Sequence, residues 1–460
     1  MPHGNTTRRY AARNPVRGTA GSVSPWGLGA LIALVFVSVT AAAQETLPEG
    51  QRLHADHLVE RVLSDNAGLD ALRAAVDAAE ARVVPAGSLP DPQLSGAVAP
   101  ETIDGLDAPT GRDRGTNFRV EISQSFPWPG TLGLRAEAAR EEAAAATENV
   151  AALRLRLAAA AKAAYAEWRY VHRALAINAD NRELVDELRR VAEQRYAAGL
   201  TRQQDVLQAE VELQRLEHQA IQLKRAKRGV RAKINALLNR PATESLAEPA
   251  GLPQPQSLPP YERMRDQALS SHPELARIQR RIAANQDREA VARKEFYPDF
   301  KVFSGYNKLW DADEKRWIVG AGISLPLSRD KYRARLDEAK ADTLRLEFEL
   351  TDRRAQLLSQ LEQAHAAAEE AQHSIALYEN ELVPLARENL SAARAEYGAG
   401  GGSFLAVIDA ERNKLDAELN LARVRADHFA AIGDLQRWTA ADLPATSTPG
   451  PMNTLEPSYE

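Results

Sequence analysis

The chain has 460 residues, carries a formal net charge of −5 and contains no cysteine. Disulfides, thiolate metal sites, cysteine nucleophiles and a lipidated N-terminal cysteine are thereby excluded. A net-negative chain is a poor ligand for polyanions, so nucleic acid is not an expected partner.

The N-terminus, 1–43, has the composition of an export leader. Arg8, Arg9, Arg13 and Arg17 precede the apolar run LGALIALVFVSV at 28–39, and Ala41-Ala42-Ala43 suits cleavage before Gln44. Removing those four arginines takes the net charge from −5 to about −9. Beyond the leader no apolar stretch reaches the roughly 18 residues that a membrane helix needs.

The next segment, 44–239, has four predicted parts. A helical pattern covers about 52–85. Two strands follow, about 93–99 and 118–126. In the second, Phe118, Val120, Ile122 and Phe126 alternate with Arg119, Glu121, Ser123 and Ser125, the period of a strand with two unlike faces. Leu134–Ala198 then runs without glycine or proline and is rich in Ala, Leu, Glu and Arg. As a helix it would extend roughly 100 Å, longer than a compact domain uses. A shorter helix is expected over 201–239.

A Pro-rich connector, 240–260, leads to a second segment, 261–440, with the same order. A helix is expected over 261–296, strands over about 299–307 and 317–325, a long helix over about 330–397 and a shorter one over 403–440. Pro384 should kink the long helix. In each half the two short helices together match the long one in length, so they can stack end to end beside it. The tail, 441–460, is aperiodic. The halves are a duplication, with Phe126-Pro127-Trp128 on Leu325-Pro326-Leu327 and QRYAAGLTRQQDVLQAE (194–210) on AEYGAGGGSFLAVIDAE (395–411).

Four strands are too few to close a barrel. Their apolar, aromatic-rich faces have the pattern of a lipid-facing barrel, and closure by several chains would remove the open edges. Three chains would give 12 strands. Trp128, Phe296, Tyr297, Tyr306, Trp310 and Trp317 fall at strand ends, where interfacial aromatics belong.

LPDPQLSG (89–96), ISQSFPWPG (122–130), HPELARIQRRI (272–282), FYPDF (296–300), GISLPL (322–327) and the two breaks resemble the TolC-like outer membrane efflux proteins, over about Arg52–Thr439. ISQSFPWPG is most similar to the heavy-metal, CzcC-like branch. The resemblance implies a mostly α fold with a membrane β-barrel. It would be a homotrimer with a shared 12-stranded outer membrane barrel that continues into a long periplasmic α-helical barrel. The function implied is the passive exit duct of a tripartite efflux system. The implied partners are outer membrane lipid, a periplasmic membrane-fusion adaptor and an inner-membrane pump of the RND type. A soluble periplasmic coiled-coil adaptor or scaffold is the alternative; it leaves the paired apolar-faced hairpins unexplained.

No catalytic constellation, phosphate-binding loop or HExxH is present, and no cofactor or metal is expected. His54, His57 and Glu60 are a loose group at a helix start. By resemblance, the turns Ala198-Gly199-Leu200-Thr201 and Gly400-Gly401-Gly402-Ser403 form the periplasmic tips that dock the adaptor. Glycine suits the left-handed end of each helix, and Thr201 and Ser403 are expected to cap the next. Asp205 and Asp409 would line the gate, where converging carboxylates repel and favour cations. Where some relatives carry an arginine that ties the gate, this chain has Gly402, leaving Arg202, Gln203 or Gln204 to substitute.

Overall fold

The computed structural model describes residues 52–99, 117–255, 257–308 and 316–440. The expected leader, Trp310 and the C-terminal tail lie outside the described residues.

Each half begins with a broken helix. α1 (Ala55–Asp65) and α2 (Ala67–Ala81) are separated by Asn66, whose side chain accepts from the Gly68 amide. α3 (Val83–Gly87) completes the first half's run. The sequence pattern over 52–85 did not show this segmentation. In the second half, numbered in chain order, α6 (Tyr261–Ser271) and α7 (Pro273–Lys294) are separated by His272. Pro273 stands at N1, where its missing N–H costs nothing, and His272 Nδ1 accepts from Glu274 N.

The breaks are joints. α5 (Gln203–Leu237) runs up to the first one, where Asn66 donates to the Leu237 carbonyl at 3.0 Å and Asn239 donates to the Asp65 carbonyl. α10 (Phe404–Thr439) runs up to the second, where the His272 ring stacks on Trp438 at 6.3 Å. The short helices therefore stack end to end along the long ones. α4 (Thr131–Ala197), 67 residues, is the first long helix. The second consists of α8 (Arg329–Leu377), a π-helical turn (Tyr378–Leu382) and α9 (Val383–Ala399). Pro384 has no N–H for the Asn380 carbonyl and its ring crowds that oxygen, so the helix widens just before it. A π turn holds more residues than an α turn. It absorbs part of the growth in repeat shift from 199 at Phe126 to 201 at Tyr196.

Near the tips the helices lie in the order α5, α4, α10, α9; nearer the strands α4 packs on α2, α3 and α7, and α7 on α8. Alanine dominates the buried positions of α4, which lets backbones approach closely. One core cluster joins α1, α4 and the end of α5 around Tyr165 and Trp168. The connector covers it: Tyr165 donates to the Leu53 and Ala250 carbonyls at 3.0 Å, and Trp168 Nε1 to the Ala247 carbonyl. Burial pushes the Tyr165 phenol up to about 12, so it remains a donor.

β1 (Gln93–Ala99), β2 (Asn117–Phe126), β3 (Asp299–Asn307) and β4 (Trp317–Ser324) form one antiparallel sheet in the order β1-β2-β3-β4. The two hairpins, about 200 residues apart in the chain, pair through Ile122 opposite Ser304 and Phe126 opposite Phe300. Among the described residues, the outer edges of β1 and β4 are open.

Candidate functional site

The sheet has two unlike faces. Leu94, Val98, Val120, Ile122, Val302, Val319 and Ile323 share one, and all are exposed, Val319 at 79%. The other holds Glu121 with Arg119 and Lys301, and Phe303 lies over Gly320, where a Cβ would strike its ring. Aromatic side chains gather at both ends. Trp128 stacks on Tyr297 at 4.8 Å and near Phe300 at the helical end; Tyr306 meets Phe118 and Trp317 at the other. Between these girdles run strands of 7 to 10 residues, about the length that crosses a bilayer at a tilt. Among the described residues no helix is long and apolar enough to cross a membrane.

At the opposite end the two tips share one backbone. Gly199 (φ 72°) and Gly400 (φ 87°) take the left-handed conformation that a Cβ disfavours. Leu200 N bonds to Arg195 O at 2.9 Å and Gly199 N to Tyr196 O; Gly401 N bonds to Glu396 O at 3.0 Å and Gly400 N to Tyr397 O. Each tip is thus a Schellman turn, with the last carbonyls of the long helix satisfied.

The side chains differ. Ser403 caps α10, accepting from Ala406 N at 3.2 Å. Thr201 does not cap α5. The N-cap is Arg202, which makes no side-chain bond, and Thr201, one residue earlier, donates instead to the Asp205 carboxylate. Asp205 also accepts from the Tyr397 hydroxyl at 3.4 Å, a contact between the repeats. Burial raises the Tyr397 pKa, which keeps the phenol a donor. Asp409 is exposed, with Arg412 at 3.6 Å. α5 and α10 keep a shift of 201 from first turn to last, so Asp205 stands level with Ala406 and Asp409 with Gln208. The two aspartates are offset by about one turn.

None of Arg202, Gln203 or Gln204 ties the tips. Arg195, at the end of α4, does so. Its guanidinium donates to the Gly398 carbonyl at 2.9 Å and lies 4.8 Å from the centre of the Tyr397 ring. A side chain at 402 has little room, since a Cβ there would sit 3.1 Å from Glu396 Cβ and from Tyr397 N. The sequence shows an arginine at 195, but nothing local says that it crosses between repeats.

Two turns inside the tip lies a second polar layer that sequence patterning did not reveal. Glu212 is buried and accepts from Arg412 Nε at 2.9 Å, with Arg215 at 3.1 Å, joining α5 to α10. Beside it Glu411 is fully buried and neither carboxylate oxygen has a partner. Burial, then the nearby Glu212 charge, push its pKa up to about 7 against the pull of Lys414 and Arg412. His54 and His57 meet edge to face at 5.7 Å, and among the described residues no three His, Cys, Asp or Glu side chains group as metal ligands.

The outer membrane efflux protein family matches residues 58–240 and 264–439. Nodulation protein T of Rhizobium leguminosarum bv. trifolii is 24% identical over 380 residues, 79% of this chain and 80% of its own length. The cobalt-zinc-cadmium resistance protein CzcC of Cupriavidus metallidurans is 24% identical over 253 residues, 54% of this chain and 58% of its own. Among solved structures, the outer-membrane channel OprN superposes with a TM-score of 0.72 at 23% identity, covering 84% of this chain and 89% of that one. The family match takes in both repeats, from the first helix to the last and through both hairpins; the chain belongs to the outer membrane efflux protein family.

Proposed function

We propose that three copies of the chain form the exit duct of a tripartite efflux system. The observation that carries this is the sheet: an exposed apolar face, an aromatic girdle at each end and two open edges. An open edge is not tolerated in lipid, so β4 of one copy pairs with β1 of the next until a barrel of 12 strands closes. A soluble adaptor or scaffold has no use for such a face. The helical rods then extend the wall into the periplasm, about 100 Å along α4. The duct does no chemistry. An inner-membrane pump, of the RND type, drives substrate into it, and a periplasmic adaptor docks on the turns 198–201 and 400–403.

In this assembly the tips are the gate. Arg195, Tyr397, Thr201 and Asp205 bind the first tip to the second within one copy and hold both inward. Asp205 and Asp409, repeated around the three-fold axis, line the constriction and favour cations. Single-channel recording from purified protein tests the gate. Wild type should show a small, cation-selective conductance, and a variant carrying Asp205→Ala and Asp409→Ala should lose the selectivity. Unchanged conductance and selectivity would remove both residues from the gate.

A further inference from the structure

The C-terminal half of α5 contains KRAKR (224–228). Arg225 and Arg228 are exposed, and among the described residues neither has an acidic partner. Elsewhere arginines join one helix to another: Arg423 pairs with Glu167, Arg412 with Glu212, Arg288 with Glu142 and Arg353 with Glu274. On α8, Glu369 and Glu370 are likewise exposed and without a cation.

The duplication says what is missing. α5 and α10 are equivalent helices. Both follow a Schellman turn, and both end on a residue of positive φ, Asn239 (52°) and Ala440 (51°). α10 is covered on two sides, by the long helix of its own repeat and by α4 of the other. α5 packs on α4 and touches α10 only near the tip. Among the described residues, no helix or strand packs against the side of α5 that corresponds to the α4-facing side of α10. On α10 that side carries Arg423, paired with Glu167 at 2.6 Å, and Gly433, where a Cβ would stand 3.2 Å from Lys162 Cβ. Moved back by 201 these two positions become Gln222 and Ala232, on the α5 face that also carries Ile221, Arg225, Arg228 and Gly229. Ile221 is exposed, and around Gly229 there is open space. By the same duplication, the counterpart of α4 is α8. The level of Glu167 falls at Ala367-Ala368, next to Glu369 and Glu370, and the buried Ile177 corresponds to the exposed Leu377.

We infer that α8 of a second copy of this chain covers the free side of α5, and that Arg225 and Arg228 meet Glu369 and Glu370 of the partner subunit in an ionic layer. The inference rests on the trimer proposed above and adds which faces meet and what holds them in register. The contact is head to tail, and repeats around the ring until it closes. Facing opposite charges oppose a slip of one helix along the other, since a shift by a turn moves the carboxylates away from the guanidinium groups. Solvent screens such pairs, so their effect lies in register and in salt dependence.

The absence of cysteine gives a clean test. The full chain with Arg228→Cys and Glu369→Cys is purified in detergent and treated with a short bis-maleimide. Covalent species up to three chains are expected on a denaturing gel. Arg423→Cys with Glu167→Cys should link only within one chain. In parallel, Arg225→Glu with Arg228→Glu should lose most of the trimer seen by native mass spectrometry, and adding Glu369→Arg with Glu370→Arg should restore it. A wild-type trimer with no link between chains, or one indifferent to the charge reversal, overturns the ionic layer and leaves the trimer standing. A patch that serves an anionic polymer instead gives that result. A monomeric wild type overturns both.

Discussion

The two tips have one backbone and two chemistries. Gly199 and Gly400 turn the chain through the same hydrogen bonds. Beyond them, the first tip presents Thr201 and Asp205, which lean on Tyr397 from the other repeat, and the second has bare glycine, a Ser403 cap and an exposed Asp409 with Arg412, on its own helix, nearby. Duplication preserved what the turn needs and left the side chains to diverge. The first tip supplies the reach, through Arg195 and Asp205; the second supplies Tyr397 and the Gly398 carbonyl that they grip.

The largest expected effect is on the layer behind the tips. Arg412→Ala leaves the buried Glu212 with Arg215 as its remaining partner and should cost about 3 kcal/mol, read as a fall in melting temperature by circular dichroism. Next is Glu411. Its pKa in the folded chain lies above its ordinary value, so between pH 4.5 and about 7 the folded state binds the extra proton. Stability should therefore fall as pH rises through that window and level off above it, by on the order of 3 kcal/mol. Glu411→Gln should flatten the profile, whereas Glu210→Gln, at the exposed counterpart in the first repeat, should leave it intact. The smallest effects are in the turns. Gly199→Ala and Gly400→Ala should each cost about 1 kcal/mol in melting studies, from the left-handed backbone alone. Gly402→Ala should add a steric penalty that Thr201→Ala, at the matching position, lacks.

Much of this architecture is legible in the sequence because it depends on neighbours in the chain. Alternation from Phe118 to Phe126 marks a strand, and the open glycine-rich breaks mark the tips. Pro384 marks a disturbed helix, although not that it takes the form of a π turn. What is hidden depends on partners far away in sequence. Arg195 resembles any arginine at a helix end until α9 is placed beside it. Glu411 resembles its exposed counterpart Glu210, yet α10 is enclosed by α4 and α9 where α5 is not. Asp205 and Asp409 look equivalent in a loose alignment; the constant shift of 201 along α5 and α10 sets them a turn apart.

In the proposed duct, contact between the unlike tips holds the lumen shut. Single-channel conductance of Arg195→Ala combined with Tyr397→Phe, in planar bilayers, measures this directly. Losing contacts worth about 1–2 kcal/mol should raise the open population roughly fivefold to thirtyfold and give a larger, steadier conductance than wild type. Conductance equal to wild type in the double variant would contradict the latch.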